Sequence, residues 1–416
     1  MRIFMTEIRR SPLRWWLPVL LAVDLLAIFG RSRYWMGEWP QTSVQAQIPA
    51  FYFGPAAAAA SAWASGRSRR RGADDLLLGA ARAIWLPNLV QLASTLCYVV
   101  GVYLAGCLAA ATASELGVHG SGFLWPSYIA LGLALVVSFA AIGHAIGRIV
   151  SAPYGGSAIA GLLCLACVTW LGDQNALGLF TTSGAPFLRV GTLPLLARFA
   201  CVVVIMGAGG LALHYSHTHR AARSFRPGGV FLAAMLPVLG LLLAAGPVQG
   251  VRNPAQARQV CTKTVPKICF WSEDSKYLGA ATAMADRAAA LPAPFVSPPL
   301  FTEQGLTREK MSVTSFYVLE GSLWDPAESM AGAILSHTRP PDCTPSSTLP
   351  EPAMVASGNV TMWLAMRIYG GARPAGMHGE PPGVDMAAVE KVLGLPAERQ
   401  DAWALSQWAV VRDALC

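Results

Sequence analysis

Long apolar runs separated by short polar breaks occupy the first 247 residues. A helix needs about 20 apolar residues to cross about 30 Å of hydrocarbon. Runs of this kind recur seven times before Pro247 and then stop. The pattern predicts a mainly α, polytopic membrane helix bundle of about seven transmembrane helices. The predicted spans are residues 13–30, 45–65, 89–111, 127–149, 155–171, 199–215 and 229–245, with 177–196 as an interfacial or re-entrant loop.

The arginines predict the orientation of these spans, because positively charged connections stay in the cytoplasm. They concentrate on alternate connections, so the N-terminus is expected inside and everything after the seventh span outside. The inner set is Arg2, Arg9, Arg10, Arg14, Arg67, Arg69, Arg70, Arg71, Arg82, Arg148, Arg220, Arg223 and Arg226, and the outer set is Arg31, Arg33, Arg189 and Arg198.

Residues 1–12 precede the first span with a different pattern. Met1, Phe4, Met5 and Ile8 share one helical face, and polar residues share the other. This amphipathic spacing predicts an interfacial helix in the inner headgroup layer. The apolar run that follows carries Asp24 and no small-residue cleavage site, which argues against a signal peptide.

Composition supports a membrane protein. Hydrophobic residues make up 54% of the 416 residues and charged residues 13%, against about 25% in soluble domains. The mean hydropathy is +0.45. The net charge of +8 comes from arginines that flank apolar runs, which excludes nucleic acid as the expected partner.

Residues 248–416 have mixed polarity, many prolines and short amphipathic segments, which predict a small α+β extracytoplasmic domain. "VPKICFW" and "SVTSFYVLE" are predicted strands. Helices are predicted at 273–291, 326–337, 353–369, 385–393 and 397–416. Glu273, Asp274 and Asp286 are interpreted as the solvated face of the first of these helices.

The nine cysteines fall into two groups. Cys97, Cys107, Cys164, Cys167 and Cys201 lie in predicted spans, where cysteine behaves as a small apolar residue. Cys261, Cys269, Cys343 and Cys416 lie in the outer domain, where an even number predicts disulfides. Of three possible pairings we favour Cys261–Cys269, which are close in sequence, with Cys343–Cys416. The triplet His214, His217 and His219 adjoins arginines, so no metal site is predicted.

Asp24 and His144 are candidate polar sites within the predicted spans. Asp24 is either a group lining a transport path or binding a cation, or a hydrogen-bonding group that fixes its helix to a neighbour. His144 is a candidate partner for Asp24, although it lies nearer the cytoplasmic end. Gly143 and Gly147 on the same span have the spacing typical of closely packed helices.

The connection between the second and third spans reads "RRRGADDLLLGAARAIW" from Arg69 to Trp85. The acid pair can cap a short helix whose leucines form an apolar surface. Such a helix either lies on the membrane surface or binds in the groove of a soluble partner.

An interfacial helix, a helical hairpin and this arginine-rich loop together resemble the membrane subunits of ABC-2-type (type V fold) exporters. The resemblance implies that the loop carries a coupling helix that docks on a separate ABC ATPase. Asp74, Asp75, Leu76 and Leu77 would be its contacts, between Arg71 and Arg82.

The C-terminal strings "ICFWSEDSKYL", "MWLAMRIYGG" and "LPAERQDAWALSQWAVVRDALC" resemble the outer domain attached to such permeases in high-GC Gram-positive bacteria. The family core has six spans with both ends inside, so the seventh span here is a departure from it.

The function expected from these features is that of a permease subunit moving a hydrophobic or amphipathic substrate, as a homodimer or heterodimer. The chain has no G-x-x-x-x-G-K-[ST] loop, so ATP and Mg²⁺ are expected on the partner and no cofactor on this chain. The alternatives are a membrane sensor or scaffold with a ligand-binding outer domain and, less favoured, a membrane-anchored outer enzyme.

Overall fold

The computed structural model describes residues 2–30, 35–70, 85–117, 123–150, 152, 154–171, 184–218, 226–252, 259–307, 312–318, 322–340, 350–371 and 383–415. The chain is mainly helical and divides into two compact units, Met1–Gly250 and Val251–Cys416. The sequence placed this division after Pro247.

The first unit is a bundle of helices of unequal length. The longest, α6, has 33 residues and is therefore about 50 Å long, well beyond the thickness of a bilayer core. In chain order the helices are α1 (Arg2–Arg10), α2 (Leu13–Phe29), α3 (Trp39–Gln47), α4 (Pro49–Ser65), α5 (Arg67–Arg70), α6 (Trp85–Gly117), α7 (Pro126–Ile149), α8 (Gly155–Leu171), α9 (Thr192–Thr218) and α10 (Arg226–Ala245). Strands β1 (Leu188–Val190) and β2 (Gln249–Val251) form a two-stranded sheet.

Within the described residues, two helices are long and apolar enough to cross a membrane, Leu86–Leu116 and Pro126–Arg148. The pair Ile3–Arg10 and Leu13–Phe29, bent by 63°, makes a third if it is counted as one span. Shorter apolar helices cover Gly155–Trp170, Thr192–Gly207 and Leu236–Ala245. The structure therefore supports membrane helices, and the count of seven spans is not confirmed.

Two predicted spans have different bounds in the structure. The span predicted at 45–65 is split into α3 and α4, because Pro49 has no backbone N–H to continue the helix. The span predicted at 199–215 is longer, since α9 already begins at Thr192. Arg198, assigned from sequence to an outer connection, consequently lies within α9 and is only 3% exposed.

The closest helix contact in the first unit is between α4 and α7. A Cβ atom on Gly143 would overlap the backbone carbonyl of Ala58, and one on Gly147 would overlap that of Ala62. One turn earlier, Gly54 lies against the ring of Phe139. The pair of glycines noted in the sequence is thus a site of close helix packing, as the spacing indicated.

Hydrogen bonds through side chains connect α1 and α3 to α6, and α6 to α7. The hydroxyl of Thr42 lies 2.6 Å from that of Ser114, which joins α3 to α6. Tyr98 on α6 donates to the Ile8 carbonyl of α1 at 2.9 Å, and Tyr103 donates to the Ile129 carbonyl of α7 at 2.9 Å. Each bond gives a buried or half-buried hydroxyl group a partner on a neighbouring helix.

The second unit combines a four-stranded sheet with helices. Its order is β3-β4-β5-β6, antiparallel between β3 and β4 and parallel for the other two pairs. The elements are β3 (Gln259–Cys261), β4 (Lys267–Trp271), a 3₁₀ helix (Ser272–Tyr277), α11 (Leu278–Ala289), β5 (Leu300–Glu303), β6 (Ser315–Phe316), α12 (Trp324–Thr338), α13 (Glu351–Tyr369), α14 (Met386–Leu393) and α15 (Ala397–Leu415).

Aromatic side chains fill the core of this unit. Phe270, Phe301 and Phe316, from three adjacent strands, are completely buried. Phe295 lies between Trp363 and Trp408, at ring-centroid distances of 6.1 and 6.3 Å. Large aromatic residues contribute most of the apolar area that a domain of this size can bury.

The α4–α7 contact gives a stability prediction. We expect Gly143→Ala to lower the free energy of unfolding by about 1–3 kcal/mol, because the added methyl group meets rigid backbone and the helices must separate. Gly240→Ala is the matched control, since nothing lies within 4 Å of its added Cβ. Thermal unfolding in detergent measures both, and equal midpoints for the two variants would contradict the packing described.

Candidate functional site

The predicted coupling residues Arg71, Asp74, Asp75, Leu76, Leu77 and Arg82 lie outside the described residues. The helix that leads into them is described. In α5, Arg67 donates to the Glu7 carboxylate of α1 at 2.9 Å and to the Arg10 carbonyl at 3.4 Å. The Arg67 and Glu7 side chains are 17% and 20% exposed. The segment before the predicted coupling residues is therefore attached to the N-terminal helix.

Asp24 is completely buried in α2, against α6. Gly106 leaves the space for its carboxyl group, since a Cβ at that position would overlap the Asp24 side chain. Among the described residues, no hydrogen-bond partner reaches either carboxyl oxygen. A carboxyl group without a partner is costly at such a position, which favours a role toward a cation, a proton or a polar guest.

His144 does not pair with Asp24. Its two ring nitrogens, like the Asp24 oxygens, have no hydrogen-bond partner in the part of the chain that the structure describes. The helix contacts also separate the two residues in depth. The Cys107–Ala46 hydrogen bond places Gly106, and with it Asp24, near Ala46 on α3, whereas Gly143, the neighbour of His144, lies against Ala58 on α4. Ala46 and Ala58 are about three helical turns apart along the chain.

Contacts between the helices bring several polar residues close to the depth of His144 in the bundle. On α6, the Cys107–Ala46 bond and the Phe53–Tyr103 ring contact, counted along antiparallel helices, place Gln91 within about one turn of Ser61 and Asn88 within about two turns. On α4, the Ala58–Gly143 and Ala62–Gly147 contacts place Ser61 at this depth. On α8, the Gly156–Gly147 contact places Ser157 at this depth as well. We call these five residues the polar layer.

All members of the polar layer carry buried polar atoms. Among the described residues, none of these atoms has a hydrogen-bond partner: Ser61 Oγ, Asn88 Nδ2, Gln91 Oε1, both His144 ring nitrogens and Ser157 Oγ. Buried polar groups are ordinarily hydrogen-bonded, so a layer of this kind is suited to binding a polar group or water. The sequence analysis missed four of the five residues, because single serine and amide residues in apolar helices give no local signal.

The second unit contains the predicted disulfide Cys261–Cys269. The two residues lie directly opposite each other on antiparallel strands β3 and β4, which brings their side chains together. The second predicted pair, Cys343–Cys416, lies outside the described residues.

The interpretation of Glu273 and Asp274 as solvated helix residues is wrong. They lie in a 3₁₀ helix directly after β4 and are 8% and 5% exposed. Glu273 accepts from Arg252 at 2.6 Å, and the Arg252 guanidinium lies 3.8 Å from the Trp271 ring centroid. Glu303, at the end of β5, accepts from the Trp271 backbone N–H at 2.9 Å. These charges hold the carboxyl ends of β4 and β5 together.

In the part of the chain that the structure describes, no group of three or more His, Cys, Asp or Glu side chains is arranged to hold a metal ion.

Comparison with known proteins gives a match only within the second unit. Residues 268–414 match the family model described as a domain of unknown function, DUF7224. No curated protein and no solved structure matches the chain.

The two interpretations of Asp24 predict different stabilities. Since its carboxyl group has no described partner, we expect Asp24→Ala to leave the unfolding midpoint in detergent unchanged or higher. Ser114→Ala is the comparison, because it removes a bond between helices that is worth about 0.6 kcal/mol on average in membrane proteins. A drop for Asp24→Ala larger than that for Ser114→Ala would instead indicate that Asp24 fixes its helix to a neighbour.

Proposed function

We propose that this chain is the permease subunit of an ABC exporter that moves a hydrophobic or amphipathic substrate. In this proposal the first unit crosses the membrane seven times, with the N-terminus in the cytoplasm and the DUF7224 unit outside. A separately encoded ATPase binds and hydrolyses ATP with Mg²⁺, and two permease subunits form the transport path.

The observation that carries the proposal is the attachment of α5 to α1. The loop from Arg69 to Trp85 would bind the ATPase, and α5 is the start of this loop. The Arg67–Glu7 ion pair transmits any displacement of α5 to α1. The Tyr98–Ile8 bond then connects α1 to α6, the helix that packs on Asp24. A motion at the ATPase would thus reach the interior of the bundle through contiguous contacts.

The interior polar groups support a transport role. The polar layer presents donors and acceptors near the end of the bundle where α4 meets α5, and Asp24 presents a carboxyl group about three turns away, toward the opposite end. An amphipathic substrate needs polar groups of this kind along its path, because its own polar atoms lose their hydrogen bonds to water.

Leucines of the predicted coupling helix test the proposal most directly. We expect Leu76→Asp or Leu77→Asp to weaken binding of the ATPase at least about tenfold, since a charge replaces an apolar anchor in a groove. The measurement is recovery of an ATP-hydrolysing protein with the chain purified from its own membranes. Leu116→Asp is the control, because Leu116 is 87% exposed at the end of α6. Failure of the unmodified chain to recover any ATPase would refute the proposal and leave the sensor interpretation.

Variants of the ion pair between α5 and α1 test whether displacement of α5 is transmitted to α1, separately from binding of the ATPase. We expect Arg67→Gln or Glu7→Gln to retain the bound ATPase but to reduce substrate-stimulated ATP hydrolysis, because the displacement of α5 no longer reaches α1. The double variant should be no worse than either single variant. Arg412→Gln, which breaks an exposed pair with Asp413, is the matched control. Unchanged stimulation in all variants would exclude this pair from coupling.

A further inference from the structure

An apolar cleft of about 390 Å³ lies between α2 and α4. Pro12, Trp16 and Leu20 line one side, and Ala56, Ala60 and Trp63 line the other. The two helices run in opposite directions, so Pro12 and Trp63 mark one end of the cleft and Leu20 and Ala56 the other. From Pro12 to Leu20 the cleft is about 12 Å long. It is therefore a narrow channel along the helices, the shape of an extended hydrocarbon chain.

Small residues create the cleft. The run Ala56–Ala60 replaces the large side chains that ordinarily fill the space between two helices, and three of its alanines line the cleft. Trp63 forms a fixed wall at the end near Pro12. Its ring stacks on Tyr154 at 5.3 Å, and the Arg70 guanidinium lies 3.8 Å from its centroid. A wall held in place by two contacts is preorganised for a ligand.

Positive charge surrounds the end of the cleft marked by Pro12 and Trp63. Arg9 and Arg10 end α1, and Arg14 lies in the first turn of α2, with its guanidinium 5.8 Å from the centroid of the Trp15 ring; all three arginines are exposed. The nearby acidic residue Glu7 is already paired with Arg67. The sharp bend between α1 and α2 places this end where an amphipathic helix gives way to an apolar one, the position of the lipid headgroups.

We propose that the cleft binds one acyl chain of an anionic phospholipid, whose phosphate group contacts Arg14 together with Arg9 and Arg10. The apolar walls match the chain, and the exposed arginines near the Pro12 end match the phosphate. Such a lipid would fill the space between α2 and α4 and stabilise the position of α1. The site is independent of the proposed transport function, so either can fail without the other.

Native mass spectrometry tests the site with the full chain. The protein is transferred from vesicles of equal parts phosphatidylglycerol and phosphatidylcholine with identical acyl chains, and the retained lipids are counted. We expect phosphatidylglycerol to be retained preferentially. Arg14→Gln should reduce that preference about fivefold, because one arginine no longer attracts the phosphate. Arg412→Gln removes the same charge from the outer unit and should change nothing.

A second variant fills the cleft without changing charge. We expect Ala60→Leu to abolish retention of phosphatidylglycerol, because the larger side chain occupies the space of the acyl chain. Ala158→Leu is the control, since Ala158 is exposed on α8 and does not line the cleft. Thermal unfolding of both variants identifies any loss of fold, and Arg14→Gln provides the test that does not depend on packing.

Three results would overturn the proposal. Equal retention of the two lipids would show that the arginines do not select a phosphate group with net negative charge. Equal loss of lipid in Ala60→Leu and Ala158→Leu would show that lipid binds nonspecifically around the helix bundle. A change in oligomeric state of Ala60→Leu, with lipid retention unchanged, would assign the cleft to a second copy of the chain.

Discussion

Close approach of α4 and α7 is the contact on which the membrane unit depends. Helices in a bilayer gain little from the hydrophobic effect when they associate, because lipid is as apolar as their side chains. Their contact energy comes from dispersion and weak hydrogen bonds at short range. Gly143 and Gly147 allow the α7 backbone to lie directly on the carbonyls of Ala58 and Ala62. This contact fixes the relative depth of both helices, and with it the depth of every polar group they carry.

The fixed depth of the helices determines which polar groups lie at the same level of the bundle. Ser61 and His144 occupy one level of the bundle only because the glycines hold α4 and α7 in register. Asp24 is buried at another level because Gly106 has no side chain. Small residues thus determine both where helices touch and where a polar side chain can be enclosed. A substitution at any of these glycines would move polar groups as well as backbones.

Sequence patterns predicted the parts of the structure that depend on local periodicity. The apolar runs located the helices of the first unit, and the run VPKICFW, which is rich in β-branched and aromatic residues, located β4. Strand β5, which follows a proline-rich segment, was missed, because its pairing with β4 is a long-range contact without a local signal. The burial of Glu273 was also missed, since its partner Arg252 lies 21 residues earlier. Both depend on tertiary contacts that override local preference.

The candidate site, too, could be predicted from the sequence only in part. Asp24 was identified because a single carboxylate in an apolar run is conspicuous, and its burial against α6 agrees with that expectation. The polar layer could not be assembled from sequence, because its members come from four helices whose relative depths depend on contacts between them. Pairing His144 with Asp24 was attractive only while those depths were unknown.

Helix α4 combines two opposite uses of alanine. On one face, Ala58 and Ala62 are buried and allow α7 to approach until the backbones touch. Elsewhere around the same helix, Ala56 and Ala60 line the cleft beside Trp16. Large residues at all four positions would fill the cleft and separate α4 from α7. The alanine-rich sequence of α4 is therefore explained by the space that its neighbours need, because alanine is favourable in helices and adds almost no volume to either face.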